Sequence, residues 1–477
     1  MVEITHTKLK PNILFLLVDS FRADKCYGNN KTSITPNIDS LIKNGVYFNQ
    51  TISSAPSTNA SVSSIFTGEY PFKSIISNGN CYTLNPKTIN YINILKDYGY
   101  NVYATVREIL TLTGLTRDFG NNVEAYYNDS VLYDGLGKKV IEKLKYSDIK
   151  EPWFYYVHLM DLHKPEIGVP EEFNDEKYGS NQYERMLSVM DVWIGKILQN
   201  INLNNTLVVL TGDHGSDDAD YTLSIEKNKK DVLNFKPGLM FKLGQKTIRK
   251  FPTFLLPLRT ILREIYIMER QKIIMRRKQK ALSKIKNLNI KANEKRILLN
   301  TIEPDSHVYD ERLRVPLIFT GYGVTSNSII PQQVRTVDIF PTIAEIIGSS
   351  GKKENLDGIS LLPLLQGKKI EEVPAYVQSA VNWSNIKNSD VIGIRTSEYK
   401  YFRDTNNQKK NIHLYNLKND PLEENNIAQM KHEIVEEMES KLTEIRKTSI
   451  PLGEQEELAE TIQIEKVKEE LRKLGYI

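Results

Sequence analysis

Cysteine is scarce in this chain: Cys26 and Cys81 are the only two in 477 residues. That excludes a disulfide-stapled scaffold. The two could pair, but so sparse a pair in so long a chain reads as reduced, as in a cytosolic protein. Long hydrophobic runs are missing as well. No window of about 18 apolar residues is free of charge, so no membrane-spanning helix is expected. The opening stretch MVEITHTKLK lacks the apolar core of a secretory signal, and the expected location is the cytoplasm. With 25 glycines and 19 prolines, the chain is neither collagen-like nor low in complexity. What remains is an ordinary globular composition, 40% hydrophobic. The length allows two or three domains, or one large α/β domain with an appendage.

The first apolar run, Asn12–Val18, is short, continuous and followed by Asp19, which is how a central parallel strand buried on both faces reads. Runs of the same type occur at Tyr100–Thr105, Trp153–Leu159, Thr206–Thr211 and Val315–Thr320. Helical patterns lie between them at Thr35–Asn44, Ser61–Phe66, Thr88–Tyr98, Gln182–Asn200 and Val337–Ile347. Strands alternating with helices predict an α/β fold, a doubly wound and mostly parallel sheet flanked by helices. From about residue 370 the elements become shorter and more polar, as at Val391–Arg395 and Tyr399–Arg403, ahead of a charged helix over Gln429–Lys447. The expected organisation is a catalytic domain over 1–370, interrupted by an insert at 223–304, and a smaller α+β subdomain with antiparallel strands over 371–477.

Functional groups of such sheets gather at the carboxyl ends of strands. Here those ends carry Asp19, the cluster His158/Asp161/His163, and Asp213-His214. A lone aspartate there is more often a turn former than a ligand. Asp213-His214-Gly215 is more specific, because it sets a hard oxygen beside an imidazole, a donor pair that suits Zn, Mn or Mg. The segment Ala55–Gly68 is a Ser/Thr-rich loop running into a helix. A hydroxyl at a helix N-terminus sits in a field that favours anions, and a metal beside it would lower its pKa. The same hydroxyls would also serve as simple helix caps.

Nine blocks in order carry a resemblance: PNILFLLVDSFRADKCYG, TPNIDSLIKNGVYFNQTISSAPSTNASVSSIFTGEYP, YYVHLMDLHKPE, VVLTGDHG, VYDERLRVPLIF, VRTVDIFPTIAEIIG, LDGISLLPLLQG, IRTSEYKYF and LYNLKNDPLEENNIA. Together they resemble the sulfatase branch of the alkaline phosphatase superfamily over residues 10–222 and 305–430. The resemblance implies an alkaline phosphatase-like fold and one divalent metal ion, Zn, Mn, Mg or Ca.

Departures from the family pattern bear on the chemistry. Sulfatases carry a Cys or Ser, converted to formylglycine, ten residues before the Gly of the Thr-Gly pair and within Cys/Ser-x-Pro-x-Arg. That position is Thr58, followed by Asn59, Ala60, Ser61 and Val62. Threonine cannot be oxidised to that aldehyde, and the signal's Pro and Arg are absent. The family's paired aspartates after the first strand are Asp19-Ser20, and its Lys-Trp-His segment is replaced by Thr105–Leu110. A threonine nucleophile resembles instead the phosphoethanolamine and phosphoglycerol transferases and the phosphodiesterases, where an alkoxide attacks phosphorus and forms a covalent phospho-enzyme. The resemblance assigns Thr58 as nucleophile and Asp19, Asp213, His214 and Thr58 as metal ligands. His163 would contact the phosphoryl oxygens or protonate the leaving group, and His307, Arg107 and Asn59 would bind substrate. The expected function is hydrolysis or transfer of phosphate esters, on cell-surface glycan or lipid precursors. The alternatives are a sulfuric ester hydrolase with an atypical nucleophile and a non-catalytic relic that binds anionic glycans or lipids.

The net charge of +4 hides an asymmetry. Residues 231–300 hold 18 Lys+Arg against four acids, a net of +14, which leaves −10 for the other 407 residues. Within this block, Phe251–Met268 is apolar with interspersed Arg and continues as a basic helical pattern over Glu269–Lys286. Apolar residues beside Lys and Arg suit an interfacial helix on an anionic membrane surface, each charge contributing about 1 kcal/mol. A solvated helical hairpin, a dimerisation arm and a lid over the site are other readings. Nucleic acid is an unlikely partner, because no reader motif accompanies the charge. On the interfacial reading, deleting 231–300 lowers binding to anionic liposomes in a sedimentation assay; unchanged binding rules that reading out.

Overall fold

The structure is a computed structural model. It describes residues 10–447 apart from 78–81, 89, 127–130, 146–148, 164–167, 218–275, 277–278, 291, 301–306, 350–355 and 380–390. The strands are β1 (Asn12–Val18), β2 (Val46–Ile52), β3 (Ile75–Ser77), β4 (Tyr82–Leu84), β5 (Asn101–Arg107), β6 (Val123–Tyr126), β7 (Trp153–Leu159), β8 (Thr206–Gly212), β9 (Arg314–Gly321), β10 (Ser328–Arg335), β11 (Ala375–Gln378), β12 (Val391–Arg395), β13 (Tyr399–Asp404) and β14 (His413–Asn416).

Eight of these form the main sheet, in the order β10-β2-β9-β8-β1-β7-β5-β6. All neighbours are parallel except β9, which runs antiparallel to both β2 and β8. The expected doubly wound, mostly parallel sheet is therefore present. β1 sits near its middle because every residue from Ile13 to Val18 is apolar and fully buried. Ile13, Phe15 and Leu17 join the apolar layer on one face, with Phe66, Phe154 and Phe340. Leu14, Leu16 and Val18 join the layer on the other, with Tyr155, Met186 and Ile194. A strand that feeds two cores cannot alternate polar and apolar residues.

The flanking helices used below are α1 (Pro36–Lys43), α2 (Thr58–Thr67), α3 (Gln182–Leu198), α4 (Asp310–Leu313), α5 (Ile339–Ile346) and α6 (His432–Arg446). α1 opens with proline at its first position, where the missing N–H costs nothing. α3 is capped by the Asn181 side chain, which accepts from Glu184 N. α2 begins three residues earlier than its apolar pattern, so Thr58 stands in the first helical turn rather than in the preceding loop.

β11–β14 form a separate antiparallel sheet, as expected for the C-terminal region. α6 packs on it through Met438 and Leu442, four residues apart and so on one helix face. A buried charge cluster fastens this sheet to α4. Arg395 of β12 donates to both oxygens of Asp310, at 3.0 and 2.8 Å. Lys400 of β13 bridges Asp310 at 2.6 Å and Glu423 at 2.8 Å. Burial alone would raise the Asp310 carboxyl, but Arg395 and Lys400 hold it well below the usual carboxylate range. Burial pushes Glu423 up to about 7, against the pull of Lys400.

By packing, residues 1–219 with 305–477 make one compact unit and 220–304 a second. Within the second, residues 279–286 are helical, and Ala281 and Ile285 pack against Ile297 and Leu298 of the helix Ala292–Asn300. Arg276, Lys280 and Lys286 are exposed. The apolar stretch Phe251–Met268, on which the interfacial reading depends, lies outside the described residues, and so does Cys81. Cys26 is buried. Among the described residues no helix is long and apolar enough to cross a membrane.

Replacing Asp310 with Ala leaves Arg395 with only its amide partners and Lys400 with Glu423 alone in a buried site. We expect a stability loss of about 3–5 kcal/mol by urea unfolding; a loss below about 1 kcal/mol would show that the cluster does not hold the sheet to α4.

Candidate active site

Strand register builds the centre of the site. Val18 of β1 pairs with Gly212 of β8 and with Leu159 of β7. The next residues along β1 and β8, Asp19 and Asp213, therefore emerge side by side at the carboxyl edge of the sheet. Asp19 N donates to Leu159 O at 2.8 Å, which keeps β7 at the same level. One ligand atom each of Asp19, Asp213 and His214 lies within 4.8 Å of the others, all three buried. His214 Nδ1 is 2.8 Å from the carbonyl of Gly215, so Nδ1 carries the proton and Nε2 is left with its lone pair. Nε2 sits 3.6 Å from Asp213 Oδ2 and 3.9 Å from Asp19 Oδ1.

Thr58 meets this group from α2. Its Oγ1 donates to Asp19 Oδ2 at 3.0 Å and lies 3.4 Å from His214 Nε2. Two neighbouring hydroxyls are engaged elsewhere. Ser61 Oγ donates to Ala55 O at 2.7 Å and lies 2.7 Å from Ser53 Oγ, while Ser63 Oγ donates to Ala60 O at 2.8 Å. Capping thus accounts for none of Thr58, and backbone bonding accounts for Ser61 and Ser63. Val62, where the formylglycine signal has arginine, is fully buried in the apolar layer.

Electrostatically the centre is two buried carboxylates beside an imidazole. Burial would raise Asp19, but His163, His158 and His214 draw it well below the usual value. Asp213 is raised, first by burial and then by the charge of Asp19. His214 is lowered by burial and raised more by Asp213 and Asp19. Asp213 Oδ2 is buried and accepts no hydrogen bond. Hard oxygens, an unprotonated imidazole nitrogen and an orphaned carboxylate oxygen fit a divalent cation.

The structure brings together Thr58, Asp19, Asp213 and His214. His163, in the turn after β7, is close enough for its charge to act on Asp19. Arg107 ends β5 and is buried, with its charge felt by the Tyr126 hydroxyl. Asn59 is half-buried beside Thr58 on α2, and His307 precedes α4 with its ring 5.9 Å from that of Tyr309.

Ser20 escapes a reading from motifs alone, while His158, one of the strand-end candidates, gains its partners only in the fold. Ser20, at the place of the family's second aspartate, adopts a left-handed backbone at φ 64°. From there its N–H donates to Asp213 Oδ1 at 3.1 Å and its Oγ to Asp19 Oδ1 at 2.8 Å, so one strained residue holds both carboxylates. His158, buried in β7, places Nε2 3.6 Å from Asp19 Oδ2 and Nδ1 2.7 Å from the Tyr156 hydroxyl. Its position two residues from Tyr156 on a fully buried strand was the available signal.

A family model described as Sulfatase matches residues 11–349. A second, described as N-sulphoglucosamine sulphohydrolase, C-terminal, matches 305–448. The chain is similar to the ulvan-active sulfatase of Formosa agariphila, 25% identical over 478 aligned residues that cover 88% of this chain and 76% of that protein. A shorter match, 32% identical over 144 residues, covers 29% of this chain and 26% of arylsulfatase K of Mus musculus. Among solved structures, the phosphonate monoester hydrolase of Agrobacterium radiobacter superposes with a TM-score of 0.61 at 16% identity, covering 92% of this chain and 96% of that one. That likeness concerns the fold.

Cation binding at this centre raises the melting temperature of chelator-treated protein. At a hundredfold excess over Kd the gain is about 2.7 kcal/mol, read by calorimetry. Asp213→Ala removes the gain, and a wild-type protein indifferent to Mg, Ca, Mn and Zn would show that the centre holds no cation.

Proposed function

The chain belongs to the sulfatase family, and we propose that within it this protein is a metal-dependent enzyme that cleaves or transfers phosphate esters through Thr58. The observation that carries this reading is the hydroxyl of Thr58 on Asp19 and His214, at the position where a sulfatase needs an oxidisable Cys or Ser. Sulfatase chemistry uses an aldehyde hydrate to expel sulfate by breaking a bond to carbon, and a threonine side chain offers no such route. Attack at phosphorus needs only a hydroxyl oxygen.

Asp19, Asp213 and His214, with Thr58, would hold the cation. A divalent cation here supplies positive charge that favours the ionised hydroxyl and an anionic ester. Thr58 Oγ1, oriented by its hydrogen bond to Asp19 Oδ2 at 3.0 Å, forms the new bond to phosphorus as the bond to the leaving alcohol breaks, and its proton passes to water. His163 gives a proton to the departing oxygen, and Arg107 faces the charge of the phosphoryl group. Water, or an acceptor alcohol, then takes the group from Thr58 and returns the free hydroxyl. Asn59 and His307 complete the substrate contacts in this reading.

A second reading has its own support. The ulvan-active sulfatase aligns with 88% of this chain, and its name favours a sulfuric ester on an anionic glycan. Both readings share the substrate class of a tetrahedral oxyanion ester, on a glycan or a lipid precursor. A basic block at 231–300 suits either a polyanionic chain or an anionic membrane surface.

Thr58→Ala separates them. We expect turnover of an aryl phosphodiester to fall by about three orders of magnitude or more with cation binding retained, and mass spectrometry of substrate-treated wild type to find phosphate on Thr58. Undiminished turnover in the variant removes the nucleophile. Wild-type activity on aryl sulfate that rivals the phosphodiester rate makes the enzyme a sulfuric ester hydrolase.

A further inference from the structure

The nucleophile and the cation ligands stand on different elements. Thr58 follows the loop 53–57 into α2, while Asp213 and His214 open the loop 213–217 after β8. Both loops converge on α4. Ser53 N donates to Leu313 O at 2.8 Å, and Gly215 N donates to Arg312 O at 2.8 Å. The second approach is so close that a Cβ on Gly215 would lie 2.2 Å from Glu311 O. Between the loops lies the Arg312 side chain, 11% exposed. Its NH1 nitrogen meets Asp217 Oδ2 at 3.2 Å and its NH2 nitrogen donates to Pro56 O at 3.1 Å. One planar guanidinium therefore spans the two loops, with a fixed separation between its contacts that an ammonium cannot reproduce. On the far side of the same turn, Asp310 is gripped by Arg395 and Lys400, so α4 itself is fixed.

We propose that Arg312 is a positioning residue for the reaction: it locks the loop carrying Thr58 to the loop carrying Asp213 and His214, so that nucleophile and cation ligands keep a single register. In this role it acts through the two loops rather than on the ester. This rests on the reading of Thr58 as nucleophile, and its consequence for rate follows from the sensitivity of attack to misplacement of about 1 Å.

Hydrogen exchange and kinetics on the full chain test it with Arg312→Lys and Arg312→Ala. Lysine keeps the charge but reaches Asp217 or Pro56, not both. In both variants we expect amides of 53–61 and of 213–217 to exchange about tenfold faster together, with β1 and β8 as protected as in the wild type. Quickening of one loop alone, or of neither, overturns the lock. Loss of protection throughout β1 and β8 overturns it too, since Arg312 then supports the whole fold. On whichever ester the wild type turns over, kcat in Arg312→Ala falls about 100-fold while KM stays within about threefold; a change confined to KM overturns the positioning role. Should the wild type turn over neither ester, the Thr58 reading fails by itself, and the exchange result still decides whether Arg312 couples the loops.

Discussion

Two carboxylates are forced together in the interior by strand register, and the rest of the site answers to that constraint. Because Val18 and Gly212 are paired in neighbouring parallel strands, Asp19 and Asp213 have no freedom to part. Two like charges about 4 Å apart at a protein-like effective dielectric of 20 repel by about 4 kcal/mol. The surroundings offset this in separate ways. Ser20 accepts a left-handed backbone in order to donate to both, and Tyr183 fixes that residue by donating to Ser20 O at 2.7 Å. The imidazoles of His158, His163 and His214 lie around Asp19 and hold its carboxyl below the usual value. Even so, Asp213 Oδ2 ends without a partner. A small cation would relieve the repulsion and satisfy that oxygen at once, which no rearrangement of neutral side chains does.

In the hydroxyl-rich approach to α2, several hydroxyls serve the local structure while Thr58 faces Asp19. Ser53 and Ser61 bond each other and Ala55 O, folding the loop back on itself. Ser63 Oγ lies 3.0 Å from Ser74 Oγ, binding α2 to the next segment. These bonds set the angle at which α2 starts, and that angle points Thr58 at Asp19. The C-terminal sheet reaches the same place from behind, through Asp310 and the short helix that also carries Arg312. Its position is therefore part of the site's geometry, although none of its strands supplies a reacting group.

Much of this was legible before any coordinates, and the limits are physical. β1, β7 and β8 are buried on both faces, so they appear as mainly apolar runs, with the expected bounds for β1 and β7 and one further residue, Gly212, in β8. β2 reads VYFNQTI and is half-polar in its centre, so its run is interrupted. β10 contains Pro331, which sits at a register shift on the edge of the sheet, where a missing N–H is tolerated. The antiparallel direction of β9 leaves no mark in its own sequence. At the site, Asp19 and Asp213-His214 were found because strand ends can be located from the chain alone. The roles of Ser20, His158 and Arg312 depend on which strands and loops become neighbours. Such contacts join residues more than a hundred positions apart, as Arg312 and Pro56 do, and no local pattern encodes them.

The departures from the family pattern bear directly on the proposed reading of the centre. A relic that had lost its chemistry would be expected to leave gaps or unmatched polar groups at the altered positions. Here each replacement is fitted into its surroundings. Val62 fills the apolar layer in the place of an arginine. Thr105, where the family has a lysine-bearing segment, lies 2.8 Å from the Tyr155 hydroxyl. Ser20 replaces a third carboxylate with two hydrogen bonds, which lowers the negative charge of the centre by one while keeping both remaining aspartates oriented. A less negative centre holds a cation less tightly and gives it less charge compensation, so more of its field remains for a hydroxyl and an anionic ester. Thr58 sits where that field acts. In the proposed reaction the substitutions change the nucleophile and the charge of the site together, in the direction that suits attack by an unmodified hydroxyl.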